Sequence, residues 1–203
     1  MEIDRLAGRG YASNCYLLRS NGHAIVIDPS LSIADAKRAI GIEWPTVDLI
    51  VLTHGHFDHM LYLTEWRNET GAPLAMHELE AHMLSDPSKT AFSLFLGRND
   101  VFAPPERLLF DGSTVQVGEE TLRVMYTPGH TAGSICLFGD GCVFTGDTVF
   151  TDGDYGRTDL YGGDSGALFS SIRALTECAF DGRMYPGHGP DGDFKTEMRY
   201  FIR

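Results

Sequence analysis

The chain has 203 residues, a hydrophobic fraction of 43%, a charged fraction of 22% and a formal net charge of −12. These values suit one soluble globular domain over residues 1–203, long enough to bury a sizeable core. The acidic balance argues against a nucleic-acid surface, which needs clustered Lys and Arg, and no apolar run reaches the length of a membrane span. The opening Met1-Glu2-Ile3-Asp4-Arg5 is followed by no signal-peptide apolar region, and Cys15, Cys136, Cys142 and Cys178 show no paired spacing. Reduced thiols and a cytoplasmic location are the expectation.

In chain order, Asn14–Arg19 reads as a strand, Ser20-Asn21-Gly22 as a hairpin turn and Ala24–Ile27 as the return strand, ended by Asp28-Pro29. Ser32 can cap a helix to Ile40 with Ile33, Ala36, Ala39 and Ile40 on one face. The apolar run Val47–Leu52 reads as a buried strand. Its C-terminal end, a usual place for chemistry in open α/β sheets, carries Thr53-His54-Gly55-His56-Phe57-Asp58-His59. His54 and His56 are two apart and project to one side of an extended segment, while Asp58 and His59 follow where the chain must turn. Four imidazole or carboxylate donors in six residues suit zinc, iron or manganese; calcium or magnesium would call for oxygen donors alone.

A helix over 60–70, stopped by Gly71, a short strand Pro73–Met76 and a helix Glu78–Leu84 are expected next. Residues 85–107 are irregular around the Phe92–Leu96 apolar patch, a packed connector or a substrate wall. Five strand signals follow, Leu108–Phe110, Thr114–Val117, Leu122–Tyr126, Ser134–Phe138 and Cys142–Thr145. Asp164 then caps a helix presenting Leu168, Ile172, Leu175 and Ala179 on one face, and Met184-Tyr185 ends the pattern. Strands followed by helix in each half predict two similar α/β units around shared core.

Further donors stand at strand ends beside glycine: His130 in Thr127-Pro128-Gly129-His130-Thr131, Asp147 after Gly146, and His188 in Pro186-Gly187-His188-Gly189-Pro190. Five His and two Asp suffice for two metals, with one carboxylate able to bridge. His23, His77 and His82 lack such contexts and read as surface or helix residues.

This set, with its spacing, resembles the metallo-β-lactamase-fold superfamily over nearly the whole chain, from Asn14-Cys15-Tyr16 to Pro190. The resemblance implies an α+β fold, an αββα four-layer sandwich with two similar halves and the site at one edge between the sheets. It also implies His54, His56 and His130 on a first metal, Asp58, His59 and His188 on a second, and Asp147 bridging. Within the superfamily the sequence is most similar to the glyoxalase II (hydroxyacylglutathione hydrolase) branch. Thr127–Ser134, Phe144–Thr148, Gly156-Arg157-Thr158-Asp159-Leu160 and Tyr185–Pro190 carry that resemblance. Many true β-lactamases use a Cys ligand and lack the bridging Asp. Only Asp191–Arg203 follows His188, so the chain resembles a short form without the C-terminal helical domain that holds glutathione in longer members. Met60–Leu63 also lacks the glycines common in the family, and Tyr161 stands where proline is frequent.

The function these residues imply is binuclear hydrolysis of a thioester, S-lactoylglutathione-like or a related acyl-thiol. A hydroxide bridging two divalent ions (zinc first, iron or manganese as alternatives) would attack the carbonyl, with Asp58 orienting it. Arg157 is a candidate for a substrate carboxylate or an intraloop ion pair with Asp159, and Tyr155 and Tyr161 are candidate pocket residues. A small-molecule substrate is the expected partner. The alternatives are a mononuclear iron oxygenase of the persulfide dioxygenase type using His54, His130 and Asp147, or another hydrolase of the fold, a lactonase or phosphodiesterase. A purely structural metal protein is disfavoured, because structural zinc sites are closed four-ligand cages.

Overall fold

The computed structural model describes residues 1–41 and 44–202. Six strands, β1 (Glu2–Leu6), β2 (Cys15–Ser20), β3 (His23–Ile27), β4 (Thr46–Val51), β5 (Leu74–His77) and β6 (Arg107–Leu109), form one sheet in sequence order. β1 to β3 pair antiparallel, whereas β3 to β6 pair parallel. The second sheet runs β12-β11-β10-β9-β8-β7, from β7 (Thr114–Val117), β8 (Glu120–Tyr126), β9 (Ile135–Gly139), β10 (Cys142–Gly146), β11 (Arg183–Pro186) and β12 (Gly192–Asp193). Its one parallel pair is β10 with β11, the crossover being made by helix α4 (Ser165–Thr176).

Side-chain alternation along the strands builds the layers. In β2, Tyr16 and Leu18 face the other sheet and join Ile25, Ile27, Val51, Val115, Leu122, Val124, Leu137 and Phe144 in the core between the sheets. Cys15 and Leu17 face outward and meet Ile33 and Ala36 of α1 (Ile33–Ile40) and Leu63 and Trp66 of α2 (Leu63–Thr70). On the outer face of the second sheet, Cys136, Val143 and Met184 are covered by Leu168, Ile172 and Leu175 of α4 and by Phe194 and Met198 of α5 (Phe194–Met198). The result is the expected four-layer αββα sandwich of an α+β fold. Each fully buried large apolar side chain of these layers contributes roughly 1.5–3 kcal/mol. Among the described residues no helix is long and apolar enough to cross a membrane.

Several elements differ from the sequence expectation. β1, β12 and α5 were not expected; each is short, and β1 finds its partner only by pairing with β2 from Glu2↔Arg19 to Leu6↔Cys15. The helix expected from Met60 begins at Leu63, because Phe57–His59 closes a 3₁₀ turn and the Tyr62 N–H is taken by the Pro29 carbonyl at 3.0 Å. The helix expected over 78–84 is a 3₁₀ segment, Glu78–Ser85, in which Glu80 is fully buried. Ala39 is exposed on α1, and Ala179 lies beyond the end of α4 and is exposed. Within 85–107 the chain forms the short helix α3 (Phe92–Leu96), anchored by buried Phe92.

Candidate metal centre

The seven donors expected from the sequence converge at one edge of the sandwich, each supplied by the C-terminal end of a strand or the loop after it. His54, His56, Asp58 and His59 follow β4; His130 follows β8; Asp147 follows β10; His188 follows β11. Their ligand atoms fall into three groups within 4.8 Å of one another: His54, His56 and His130; His54, His59 and Asp147; Asp58, His59 and His188.

For His54, His59 and His130 the proton on the outer nitrogen is placed by what that nitrogen meets. His130 Nδ1 lies 2.7 Å from the Arg157 carbonyl oxygen, which can only accept, so Nδ1 carries the proton and Nε2 presents a lone pair. His59 Nδ1 donates to Asp28 Oδ2 at 2.8 Å, so Nε2 is the nitrogen that a cation would meet on displacing its proton. The Thr53 hydroxyl spends its proton on Asp28 Oδ2 at 2.8 Å and therefore accepts from His54 Nδ1 at 3.2 Å. His54 Nε2 and His56 Nδ1 then approach His130 Nε2 to 3.1 and 2.8 Å. The lone pairs of His54 Nε2 and His130 Nε2 face one another at 3.1 Å and repel unless a cation stands between them, which is the chemistry of a metal site. The buried His56 Nε2, His59 Nε2 and Asp147 Oδ1 have no hydrogen-bond partner. His59 Nε2 and Asp147 Oδ1 are 3.2 Å apart but misaligned for hydrogen bonding. Asp147 also places Oδ2 3.6 Å from both His130 Nε2 and His188 Nε2, facing both groups of ligands. These donors fit a pair of cations.

Charge divides the cluster in two. Burial, reinforced by neighbouring imidazoles, lowers His54 well below the usual range and takes His56 to about 3. Burial also lowers His130, so this trio is neutral and ready to coordinate at neutral pH. For His59 burial acts in the same sense but is outweighed by the carboxylates of Asp147, Asp28 and Asp58, which raise it. His188 is raised likewise: burial is overcome by its 3.1 Å contact with Asp58 Oδ2 and by Asp147. Asp58 and Asp147 are both held low, burial being outweighed chiefly by His59.

Close backbone approach makes two glycines obligatory. A Cβ on Gly187 would stand 2.0 Å from Asp147 Oδ1, and one on Gly156 would stand 2.0 Å from the Asp147 carbonyl oxygen and 2.9 Å from His130 Nδ1.

Supporting residues emerge only in three dimensions. Asp28, fully buried at the end of β3 with φ of 55°, accepts from the Thr53 N–H at 2.8 Å as well as from Thr53 Oγ1 and His59. Glu80 accepts from the Gly55 N–H at 2.8 Å and the Gly133 N–H at 2.7 Å, tying the His54–His56 loop to the loop of His130. Asn14 Nδ2 and the Tyr16 hydroxyl both donate to the Pro186 carbonyl oxygen, at 2.9 and 2.6 Å, and so hold the loop of His188. Asp28-Pro29 closing a strand was a signal available for the first; nothing local marks Glu80.

A cavity of about 300 Å³ opens onto the ligands His56, Asp58, His130, Asp147 and His188, walled by Tyr11, Phe57, Phe95, Phe150, Leu160 and Arg157. Two larger clefts, about 690 and 600 Å³, lie around Arg19 and Trp44 and around Arg123 and Phe180, away from all seven donors. Arg157 stands at the cavity, paired with Asp159 through Nε and Nη2 at 2.6 and 2.7 Å. Tyr155 and Tyr161 are not part of its wall. Tyr155 packs on Phe169 at 5.4 Å, and the Tyr161 hydroxyl meets His82 Nε2 at 3.1 Å. Phe95 comes from the 85–107 segment, which serves as wall. His23 is exposed and pairs with Asp48, whereas His77 is buried against Tyr126 at 4.7 Å and caps the following 3₁₀ segment.

Two mixed sheets back to back, helices outside, and a histidine–carboxylate cluster at their shared edge define a metal-site αββα protein. A profile of the Metallo-beta-lactamase superfamily matches residues 8–188, and the chain belongs to that superfamily. It is 31% identical over 189 residues to the probable metallo-hydrolase YqgX of Bacillus subtilis (strain 168), covering 92% of this chain and 89% of YqgX. The crystal structure of BLEG-1 B3 metallo-beta-lactamase is similar at a TM-score of 0.89 and 30% identity, over 98% of this chain and 97% of that one. TTHA1623 in a di-iron-bound form is similar at 0.78 and 28%, over 97% and 98%.

Proposed function

We propose that this protein is a binuclear metal-dependent hydrolase of an acyl bond, a thioester before all others, of the glyoxalase II-like branch. The observation that carries the reading is the convergence of imidazole lone pairs and orphaned buried donors at the floor of an open cavity. His54, His56 and His130 would hold one ion and Asp58, His59 and His188 the other, with Asp147 between them. Ions held there would bring the pKa of water toward neutrality and polarise a carbonyl oxygen. The name of YqgX, a probable metallo-hydrolase, supports the class, and the di-iron form of TTHA1623 supports two metals while leaving iron and zinc as equal candidates.

The chain's own residues do the rest. Asp28 and the Arg157 carbonyl fix the rings of His59 and His130 in the tautomers that face inward. Asp58 lines the cavity and is more open to it than Asp147, with side-chain exposures of 17% and 9%. It is therefore the carboxylate placed to orient a water over the ions. The aromatic wall gives an acyl group an apolar surface beside the ligands. No separate protein nucleophile is needed.

Elemental analysis of untagged protein together with hydrolysis of a thioester series tests this. Close to two metals per chain, with turnover removed by His56→Ala and by Asp147→Ala, is expected. A single iron with no thioester cleavage would transfer the chain to the oxygenase alternative.

A further inference from the structure

On the reading that this centre cleaves an acyl bond, we propose that its cavity selects a flat, uncharged, apolar acyl group and rejects anionic substrates. The wall is aromatic and continuous with the ligands. Phe57, between His56 and Asp58 in the chain, stacks on Phe95 with centroids 5.2 Å apart and planes at 15°. Tyr11 leans on both rings at 5.9 and 6.0 Å, and buried Phe92 braces Phe57 from behind at 5.8 Å. A planar acyl group entering over the donors has this surface to pack on.

The charges at the cavity point the same way. Arg157 is the one Lys or Arg among the described residues lining it. Asp159 occupies the edge of its guanidinium with two hydrogen bonds at 2.6 and 2.7 Å, and the group's carbon lies 5.8 Å from the Phe95 ring centre. The cation is thereby neutralised along the edge that would bind a carboxylate, and its plane extends the wall. Beyond Phe150 and His188 the opening continues over Thr151, Asp152 and Asp154, which add two more carboxylates, and no Lys or Arg is among the described residues that line it. Apart from the ions at its floor, a substrate bearing its own carboxylates, as a glutathione thioester does, finds no free side-chain countercharge in the cavity wall, and the chain's net charge of −12 opposes its approach. The volume of about 300 Å³ is at the lower end for small-ligand pockets and suits a single planar ring.

The test uses zinc-loaded protein and two measurements. Binding of phenylacetate and of succinate is followed by saturation-transfer NMR; each offers one carboxylate to the zinc ions, so the difference reads the ring against the second carboxylate. In parallel, kcat/KM is measured for their N-acetylcysteamine thioesters. Phenylacetate is expected to bind about tenfold more tightly or better, and its thioester to be favoured by about the same factor. Phe95→Ala should bring both ratios toward one, and Phe95→Leu covers the case in which the alanine variant does not fold. Asp159→Asn, which frees the guanidinium, should raise succinate affinity several-fold. Succinate binding as tightly as phenylacetate, neither acid binding, or ratios unmoved by both Phe95 variants would overturn the proposal. Preferential phenylacetate binding without thioester cleavage sinks the hydrolase reading and leaves the apolar pocket standing. Cleavage of both thioesters at equal rates does the reverse.

Discussion

Asp28 and His59, 31 positions apart in sequence, are joined by a 2.8 Å hydrogen bond from Nδ1 to Oδ2, with both side chains buried. The same carboxylate oxygen takes the Thr53 hydroxyl, and its other oxygen takes the Thr53 N–H. One carboxylate thus sets the ring of His59 directly and that of His54 through Thr53. In Asp28→Ala both rings lose their fixed tautomer, so affinity for the ion held by Asp58, His59 and His188 should fall about 10–100-fold. Metal stoichiometry after dialysis against a graded chelator measures this, with circular dichroism confirming the fold. Unchanged affinity for both ions would remove Asp28 from the role.

Glu80 joins two ligand loops that no strand pairing connects. Its oxygens hold the N–H groups of Gly55 and Gly133, and burial raises its pKa from the ordinary glutamate value despite those two bonds. Glu80→Gln keeps the volume but turns an amide NH₂ toward one of the N–H groups, leaving a buried donor unsatisfied. A loss of about 1–3 kcal/mol in unfolding free energy is expected. The variant should also bind metal more weakly, because His56 and His130 would no longer be held in register. A chemical denaturation curve for the metal-free and loaded forms separates the two effects. Equal losses in both forms would mean that Glu80 serves the fold alone.

The donors are legible in the sequence because each sits in a short glycine-bearing loop just after an apolar strand, where both the element and the residue type carry a signal. The four layers are legible for a related reason: β2 to β4 and β7 to β11 alternate or run apolar strongly enough to stand out. What holds the donors is not legible. Asp28 and Glu80 reach their partners across 25 to 53 positions, and an isolated acidic residue reads as solvated surface until the partner loops are in place. The cavity wall is similarly hidden, since Tyr11, Phe95 and Leu160 come from three segments far apart in sequence, whereas Tyr155 and Tyr161, close in sequence to Arg157, turn away. The lost first turn of the helix expected from Met60 has the same origin: the bond from the Tyr62 N–H to the distant Pro29 carbonyl is tertiary and overrides local helix propensity.

Gly187 tests how tightly the second ligand group is built. Its N–H donates to the Gly146 carbonyl and its carbonyl accepts from the Asn14 N–H, each at 2.7 Å, so the backbone cannot retreat. The added methyl of Gly187→Ala would fall 2.0 Å from Asp147 Oδ1 and 2.8 Å from His59 Cε1. Asp147 must then swing out of the position from which it faces both ligand groups. The expected outcome is a folded protein that retains about one ion in place of two and loses thioester turnover by at least ~100-fold, in line with displacement of a metal-orienting group. Full metal content with near-normal turnover would show that Asp147 is not positioned by this contact.

The buried cysteines predict how stability responds to alkali. Burial first, and the Asp28 charge second, push the Cys15 thiol from the ordinary value near 9 up to about 12; burial alone takes the lead in raising Cys136 and Cys142 to about 11. A folded-state pKa raised above the unfolded one means that the unfolded chain gives up its protons first. The stabilisation is therefore complete below pH 9 and is lost as pH rises from 9 toward 11 and 12, by up to about 1.4 kcal/mol per pH unit for each such thiol. The urea midpoint should be level from pH 7 to 8.5 and fall steeply above 9, and Cys15→Ala should reduce that slope. At pH 8 a thiol reagent should reach Cys178, the one partly exposed cysteine, and leave the other three untouched until denaturant is added. Rapid reaction of three or four thiols in the native state would contradict the burial of β2, β9 and β10 on which the layered core depends.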